Sequence, residues 1–483
     1  LILDDLADLA RSAGSYAGDW FVPSVRLGVT GLARSGKTVF ITALVHNLIA
    51  GGRLPFFGPA TQGRIVRAFL EPQPDDSVPR FPYEDHLAKL TGTPPEWPES
   101  TRRISQLRLT LEYEPTTFLR RQLGTSRLHV DIVDYPGEWL LDLPLLRLSY
   151  EEWAAEAVAL SRTPERQTFA RDWHVFLTGP DPSAPEDEHT AMRGAELFAA
   201  YLRQCRTEKG LISTLSPGRM LMPGDLEGSP ALTFMPLDLK PSVQAPRNSL
   251  HAMMARRFEA YKTYVVKPFF RDHFAKLERQ IVLVDVLGAL NGGSATLADL
   301  ERTLAAVLQC FRPGPNSWLS GILGKRIDRI LFAATKADHI HHTSHDRLEV
   351  ILQRLVQKAI DRAVFSGAEV RSVAMAAVRA TREVEAREQT GALACIAGTP
   401  LAGEALDGRR FNGREEIALF PGDLPDLAKS KEETALSSLH GTNLGFIRFR
   451  PPVPQAHGFG ASPVLPHIRL DRALQFLLGD KLE

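Results

Sequence analysis

An alternating apolar run that leads into the octet GLARSGKT, Gly31 to Thr38, constrains this chain more than any other stretch. Upstream, Val25, Leu27 and Val29 alternate as a strand does; downstream, VFITALVHNLIA reads as a buried helix. A glycine-bearing loop between strand and helix turns several backbone N–H groups toward one point, and the helix dipole adds partial positive charge there. Such a nest holds phosphate oxygens. Arg34, Ser35, Gly36, Lys37, Thr38 and Val39 form the expected cradle, with Lys37 reaching the β- and γ-phosphates and Thr38 offering a hydroxyl to Mg²⁺. Nucleotide binding is therefore expected; the octet leaves the base open.

At 483 residues the chain exceeds the size at which a single core stops growing, so several domains or a large insertion are expected. Lys+Arg and Asp+Glu are both 57, a balance that gives no electrostatic reason to expect a nucleic-acid partner. No apolar stretch approaches the roughly 20 residues of a membrane span. The acidic, amphipathic LILDDLADLARSAGSYAGDW does not read as a signal peptide. Cys205, Cys310 and Cys395 follow no pairing motif, which fits a reduced, cytoplasmic compartment.

Prolines crowd residues 72–100, favouring an extended connector over a helix. ISQLRLTLEYE and SRLHVDIVDYPGE then carry β-type patterns, and the gap between them suits an antiparallel pair. Residues 141–280 read as helical, with EEWAAEAVALSR and GAELFAAYLRQC the clearest pieces. QIVLVDVLGAL reads as a buried strand, followed by a helix, the strand IDRILFAATKAD, a helix over 345–365 and the strand VRSVAMAAV. The chain closes in the short amphipathic helix LDRALQFLL. Alternating strands and helices imply an α/β fold with a mostly parallel sheet covered on both faces, and a helical insertion between the third and fourth strands.

Two strand ends carry further chemistry. DYPG, Asp134 to Gly137, places a carboxylate where it can hold Mg²⁺ through a water, and Gly137 lets its N–H approach a γ-phosphate. TKAD, Thr335 to Asp338, offers a carboxylate that accepts guanine N1–H and N2–H₂ as a pair; adenine has no such pair. Lys336 can lay its aliphatic stem along the base.

These three motifs, in this order, resemble those of the Ras-like GTPase superfamily of P-loop NTPases. GLARSGKTVF, VDYPGEWLLDLP and TKADH are similar to the YcjX-type stress-induced GTP-binding protein family over nearly the whole chain. The resemblance implies GTP/GDP binding with Mg²⁺, a Ras-like G domain, a cytoplasmic bacterial setting with an inner-membrane periphery in reach, and a link to envelope stress through an unidentified effector. On this reading residues 1–140 and 280–380 form the G domain, 141–279 the helical insertion and 381–483 a mixed C-terminal extension.

The departures from the pattern bear on mechanism. Thr335 stands where relatives carry Asn, and Ala376-Ala377-Val378 where they carry Ser-Ala-Lys; the N–H groups of Ala377 and Val378 can still meet guanine O6. Glu138 stands in place of a water-orienting Gln, and its repulsion from a γ-phosphate predicts slow hydrolysis. Arg34 is similar to the built-in arginine finger of guanylate-binding proteins, so Lys37, Arg34 and Glu138 are the expected catalytic residues. The first switch is expected on WPESTR, with Trp97 at the base or ribose edge, Thr101 (or Ser100) on Mg²⁺ and γ-phosphate, and Arg102 near the phosphates. Thr38, Thr101 and Asp134 are thus the expected Mg²⁺ residues.

Other features leave alternatives open. Asp285 to Gly288, DVLG, is a second D-x-x-G, expected on the neighbouring strand, near the phosphate loop. His341 and His345 can share a helix face as metal ligands, while His339 borders the base pocket. The basic, aromatic stretch 256–279 suits either a partner or anionic membrane surface, or a core helix bent at Pro268. The expected activity is GTP hydrolysis coupled to switching. A nucleotide-binding scaffold with negligible turnover, or an ATP-dependent phosphotransferase, would share the phosphate loop.

Overall fold

A computed structural model describes residues 22–31, 34–99, 103–117, 122, 124–206, 215–239, 246–309, 327–365, 368–388, 391–426, 445–453 and 463–483. Strands β1 (Ser24–Gly31), β2 (Ile65–Glu71), β3 (Ser105–Tyr113), β4 (Ser126–Asp134), β5 (Arg279–Val284), β6 (Arg329–Ala334) and β7 (Glu369–Ala374) form one sheet. Their order is β2-β3-β4-β1-β5-β6-β7. From β4 to β7 all neighbours run parallel, whereas β2–β3 and β3–β4 are antiparallel. Successive side chains leave a strand on opposite faces, so Ile281 and Leu283 join one core while Val282 and Val284 join the other. Parallel strands buried on both faces account for the near-continuous apolar runs of the sequence.

Helix α1 (Lys37–Ile49) lies in the first of these cores, with Phe40, Ile41, Leu44, Val45 and Leu48 buried. Helix α2 (Tyr83–Thr91) corrects the expectation of an extended connector: the prolines flank YEDHLAKLT but do not enter it. The edge strand β2 is a second departure from expectation: IVRAFLE is only half-buried and lacks the strict alternation that announces a strand. The helical insertion accordingly follows the fourth strand rather than the third.

That insertion contains α3 (Tyr150–Ser161), α4 (Arg171–Leu177), α5 (Glu188–Arg206), α6 (Leu250–Tyr261) and α7 (Lys267–Asp272). Ser149 and Glu152 close a capping box at the start of α3. Trp153 stacks on Phe258 at 4.8 Å, and Trp173 on Tyr201 at 5.6 Å. Phe258, Tyr261, Phe269, Phe270 and Phe274 are all buried, so the aromatic stripe is core; Tyr264 alone among these rings is exposed. Pro268 lacks an N–H, and before it the helix widens into a π turn over Lys262–Val266.

Helix α8 (Val286–Asn291) begins directly after β5, so DVLGAL is helix and not strand, with Asp285 capping it through Gly288 N–H at 2.9 Å. Helices α9 (Ser294–Gln309) and α10 (His345–Phe365) cover the same face as the insertion. A second sheet, ordered β12-β9-β8, is built from β8 (Arg382–Glu388), β9 (Gly391–Gly398) and β12 (Ile417–Leu419). The hairpin of β10 (Ala405–Leu406) and β11 (Arg409–Arg410) stands beside it in sequence. Helix α11 (Leu470–Leu478) returns to the main sheet, where Leu470, Leu474, Leu477 and Leu478 pack in the core of α1.

Candidate nucleotide-binding site

The site lies at the C-terminal ends of the parallel strands. Pairing of Val29 with Asp134 and of Gly31 with Leu283 puts the ends of β1, β4 and β5 at one edge. Gly31 is obligatory there: a Cβ would stand 2.2 Å from Ser35 Oγ and 2.9 Å from the Leu283 carbonyl. In the loop, Arg34 and Gly36 take left-handed φ values of 69° and 80°, turning the chain sharply into α1. For Arg34 this conformation costs energy, a strain that recurs at functional loops. No side chain caps α1 and no acid lies in its first turn, so its N-terminal amides face outward as an anion site.

Lys37 forms an ion pair with Asp134, 10% and 1% exposed respectively. Asp134 is thus the carboxylate facing the phosphate loop. Asp285 instead pairs with Lys336 and caps α8. Ser35 Oγ, Asp134 Oδ2 and Glu138 Oε1 are buried and make no hydrogen bond with the described residues. Orphaned polar atoms of this kind mark a place built for a further group. Hydroxyl and carboxylate oxygens at Thr38 and Asp134 suit the hard, oxygen-seeking Mg²⁺.

A cavity of about 360 Å³ runs from this loop to TKAD. Arg34, Ser35, Gly36, Lys37, Thr38 and Val39 line one end; Thr335, Lys336, Asp338, His339, Ala376, Ala377 and Val378 line the other. Asp338 is 4% exposed, and its Oδ2 accepts the Ala380 N–H at 2.8 Å. Its carbonyl accepts the Thr381 hydroxyl, so the chain entering β8 holds the residue from two sides. Thr335 N–H donates to the Val284 carbonyl at 2.9 Å. The Lys336 ammonium turns to Asp285, with Lys336 itself in a left-handed conformation at φ 62°. Burial pushes the His339 imidazole below its usual pKa, which favours the neutral ring at the cavity wall. The Ala376 N–H is engaged by the Ile468 carbonyl at 3.0 Å.

Trp97 lines the cavity, and its indole N–H donates to the Phe449 carbonyl at 2.7 Å. Ser100, Thr101 and Arg102 lie outside the described residues, as does Cys310. Gly137 opens a 3₁₀ turn over Gly137–Asp142, flanked by the cavity residues Pro136 and Glu138.

Several lining residues went unnoticed in the sequence. Leu401, Arg448 and Phe449 come from the C-terminal region, with Phe449 edge-on to His339 at 5.4 Å. Arg206, at the end of α5, and Met222 come from the insertion. Arg206 lies 3.4 Å from Glu138. None of these belongs to a local motif, so no short-range signal marks them.

The histidine expectation is corrected. His345 Nε2–H donates to the Ala337 carbonyl at 2.9 Å, and because α10 begins at His345, His341 does not share its helix face. His341 and His342 instead meet Glu383. That carboxylate also lies 3.7 Å from the Arg379 guanidinium.

The model of the YcjX-like family, DUF463, matches residues 25–482 of this chain. A protein of Escherichia coli (strain K12) named Ras-like GTPase YcjX is 38% identical over 471 residues, covering 95% of this chain and 96% of the relative. A protein of the same name from Shewanella oneidensis is 36% identical over 480 residues, covering 95% of each.

Proposed function

From the premise that this chain belongs to the YcjX-like family, we propose that it binds GTP and hydrolyses it to GDP and phosphate as a slow molecular switch. The observation that carries this reading is the single cavity joining the Lys37–Thr38 cradle to Asp338. Lys37 leaves Asp134 to contact the β- and γ-phosphates, assisted by the amides at the start of α1. Asp338, held rigid by Ala380 and Thr381, accepts guanine N1–H and N2–H₂, while Ala377 or Val378 donates its N–H to O6.

Hydrolysis follows in one displacement. A water oxygen donates a lone pair to the γ-phosphorus as the bond to the β,γ-bridging oxygen breaks. The bond pair stays on the β-phosphate, and the water's protons leave on phosphate. Glu138 orients that water by accepting one of its protons in a hydrogen bond, and Arg34 turns onto the γ-phosphate. Thr38, Asp134 and Thr101 would hold Mg²⁺, which supplies charge neutralisation on the β- and γ-phosphates when bound. The segment after Gly137 and the stretch 97–102 order on the γ-phosphate and relax on its loss.

A cytoplasmic role in bacterial stress response, through an unidentified effector, follows from the family resemblance. Among the described residues no helix is long and apolar enough to cross a membrane, so contact with the inner membrane would be peripheral.

Calorimetric titration with GDP, GTP and ATP, with and without Mg²⁺, tests the binding reading. Guanine nucleotides should bind and ATP should not; equal heats for both purines would overturn it. Single-turnover phosphate release tests turnover, and its absence over hours would select the scaffold reading, which the buried carboxylate of Glu138 favours.

A further inference from the structure

A carboxylate facing a γ-phosphate is electrostatically unfavourable, yet Glu138 is 5% exposed and lines the cavity with Lys37, Thr38 and Pro136. The insertion fixes it from behind. Gly218 packs so close to the Glu138 carbonyl that a Cβ would stand 2.2 Å from it. The Arg219 guanidinium covers the Trp139 ring at 3.3 Å. Asp142, at the end of the same 3₁₀ turn, accepts from Gly218 N–H at 2.7 Å and from Tyr261 at 2.5 Å. The Glu138 main chain is therefore clamped by the insertion. Its side chain is approached from the same body: Arg206 lies 3.4 Å from Oε1, which nonetheless makes no hydrogen bond. The contact offsets charge and leaves the oxygen's acceptor capacity unused.

On the hydrolytic reading above, we infer that Arg206 is a positioning residue that offsets the charge of Glu138 and holds its carboxylate in place to orient the attacking water. The insertion thereby supplies the group that makes an acidic water-orienter workable beside a polyanion. Arg206 also lines the cavity, and the role inferred for it is through Glu138. It is distinct from Arg34, which belongs to the phosphate loop itself.

The test compares the full-length wild type with Arg206→Ala, Arg206→Lys, Glu138→Gln and the double variant Arg206→Ala/Glu138→Gln. Each is scored by single-turnover phosphate release from saturating Mg·GTP, by affinity for fluorescent GDP, and by thermal melting. Arg206 is 27% exposed, so the fold should tolerate its replacement. Arg206→Ala should slow phosphate release by roughly 100-fold while GDP affinity stays within about threefold. Arg206→Lys, which keeps the charge, should recover part of the rate. The double variant should be no slower than Glu138→Gln alone, because Arg206 works only through that carboxylate.

A wild-type rate in Arg206→Ala, multiplicative losses in the double variant, or a fall in GDP affinity matching the fall in rate would each overturn the inference. Should the wild type release no phosphate at all, the hydrolytic reading fails and this one with it. Phosphate release by the wild type that is indifferent to Arg206 sinks this inference alone.

Discussion

The phenol of Tyr261 donates a hydrogen bond to Oδ2 of Asp142 across 2.5 Å, and neither side chain reaches solvent. This bond ties α6 of the insertion to the turn that follows DYPG. Ser216 and the Gly218 N–H occupy the other carboxylate oxygen, at 3.2 Å and 2.7 Å. Burial raises the Asp142 carboxyl from 3.8 to about 6, against the lowering effect of these donors. Burial also holds the Tyr261 phenol well above its usual value, so it remains the donor.

Because the folded pKa lies above the unfolded one, the folded state binds more protons between about pH 4 and pH 6. Stability therefore falls as pH rises through that window, and the cost is fully present above it. Asp142→Asn lacks this titration and should gain on the wild type by on the order of 2 kcal/mol between pH 4 and pH 7. Denaturant melts of both proteins at the two pH values read the difference directly; a constant gap would refute it.

Gly218→Ala tests the contact beneath Glu138. The new methyl would meet backbone atoms, the Glu138 carbonyl at 2.2 Å and Trp139 N at 3.1 Å, which no rotamer change relieves. A loss of roughly 1–3 kcal/mol in unfolding free energy is expected. Phosphate release should slow as well, since the displaced segment carries Glu138. A variant of wild-type stability would show that the two segments are not held this closely.

Asp134→Asn removes the partner of Lys37. Without Mg²⁺, GDP should bind more tightly than to the wild type, because Lys37 no longer has to leave a carboxylate. The enhancement of binding by Mg²⁺ should shrink by about tenfold, in line with losing a ligand-supporting oxygen. Titrations of labelled GDP with and without Mg²⁺ resolve the two effects, and an unaltered Mg²⁺ enhancement would contradict the assigned role.

Asp338→Asn exchanges an acceptor for an amide that can present a donor to the guanine N–H pair. The position is buried and rigidly held, so the mismatch cannot be relaxed by rotation into solvent. Affinity for GDP should fall by at least about 100-fold, with little effect on the binding of ADP. Competition of labelled GDP by each nucleotide measures this; undiminished guanine preference would mean that another group reads the base.

Local order was legible wherever a motif is contiguous. The octet specifies a strand, a left-handed turn and a helix, because glycine freedom, apolar alternation and an uncapped helix start are all written in neighbouring residues. DYPG and TKAD likewise announce themselves at strand ends, and α10 and α11 occupy the ranges their periodicity predicts. Strand β2 was hidden because an edge strand with a half-buried pattern carries little periodic signal. Strand β5 was overextended because an apolar run does not distinguish a strand from the helix that follows it.

The pairings were decided elsewhere. Lys336 with Asp285, Glu138 with Arg206, and Trp97 with the Phe449 carbonyl join residues separated by 51, 68 and 352 positions. Each depends on which elements the parallel sheet and its two cores bring to one edge. A sequence by itself thus determined the strand, turn and helix of the octet and the carboxylates at the end of β4 and just after β6, because these reside in short segments. Only the tertiary structure decided what stands behind and above them, because charge offset and burial act through space and carry no local spacing.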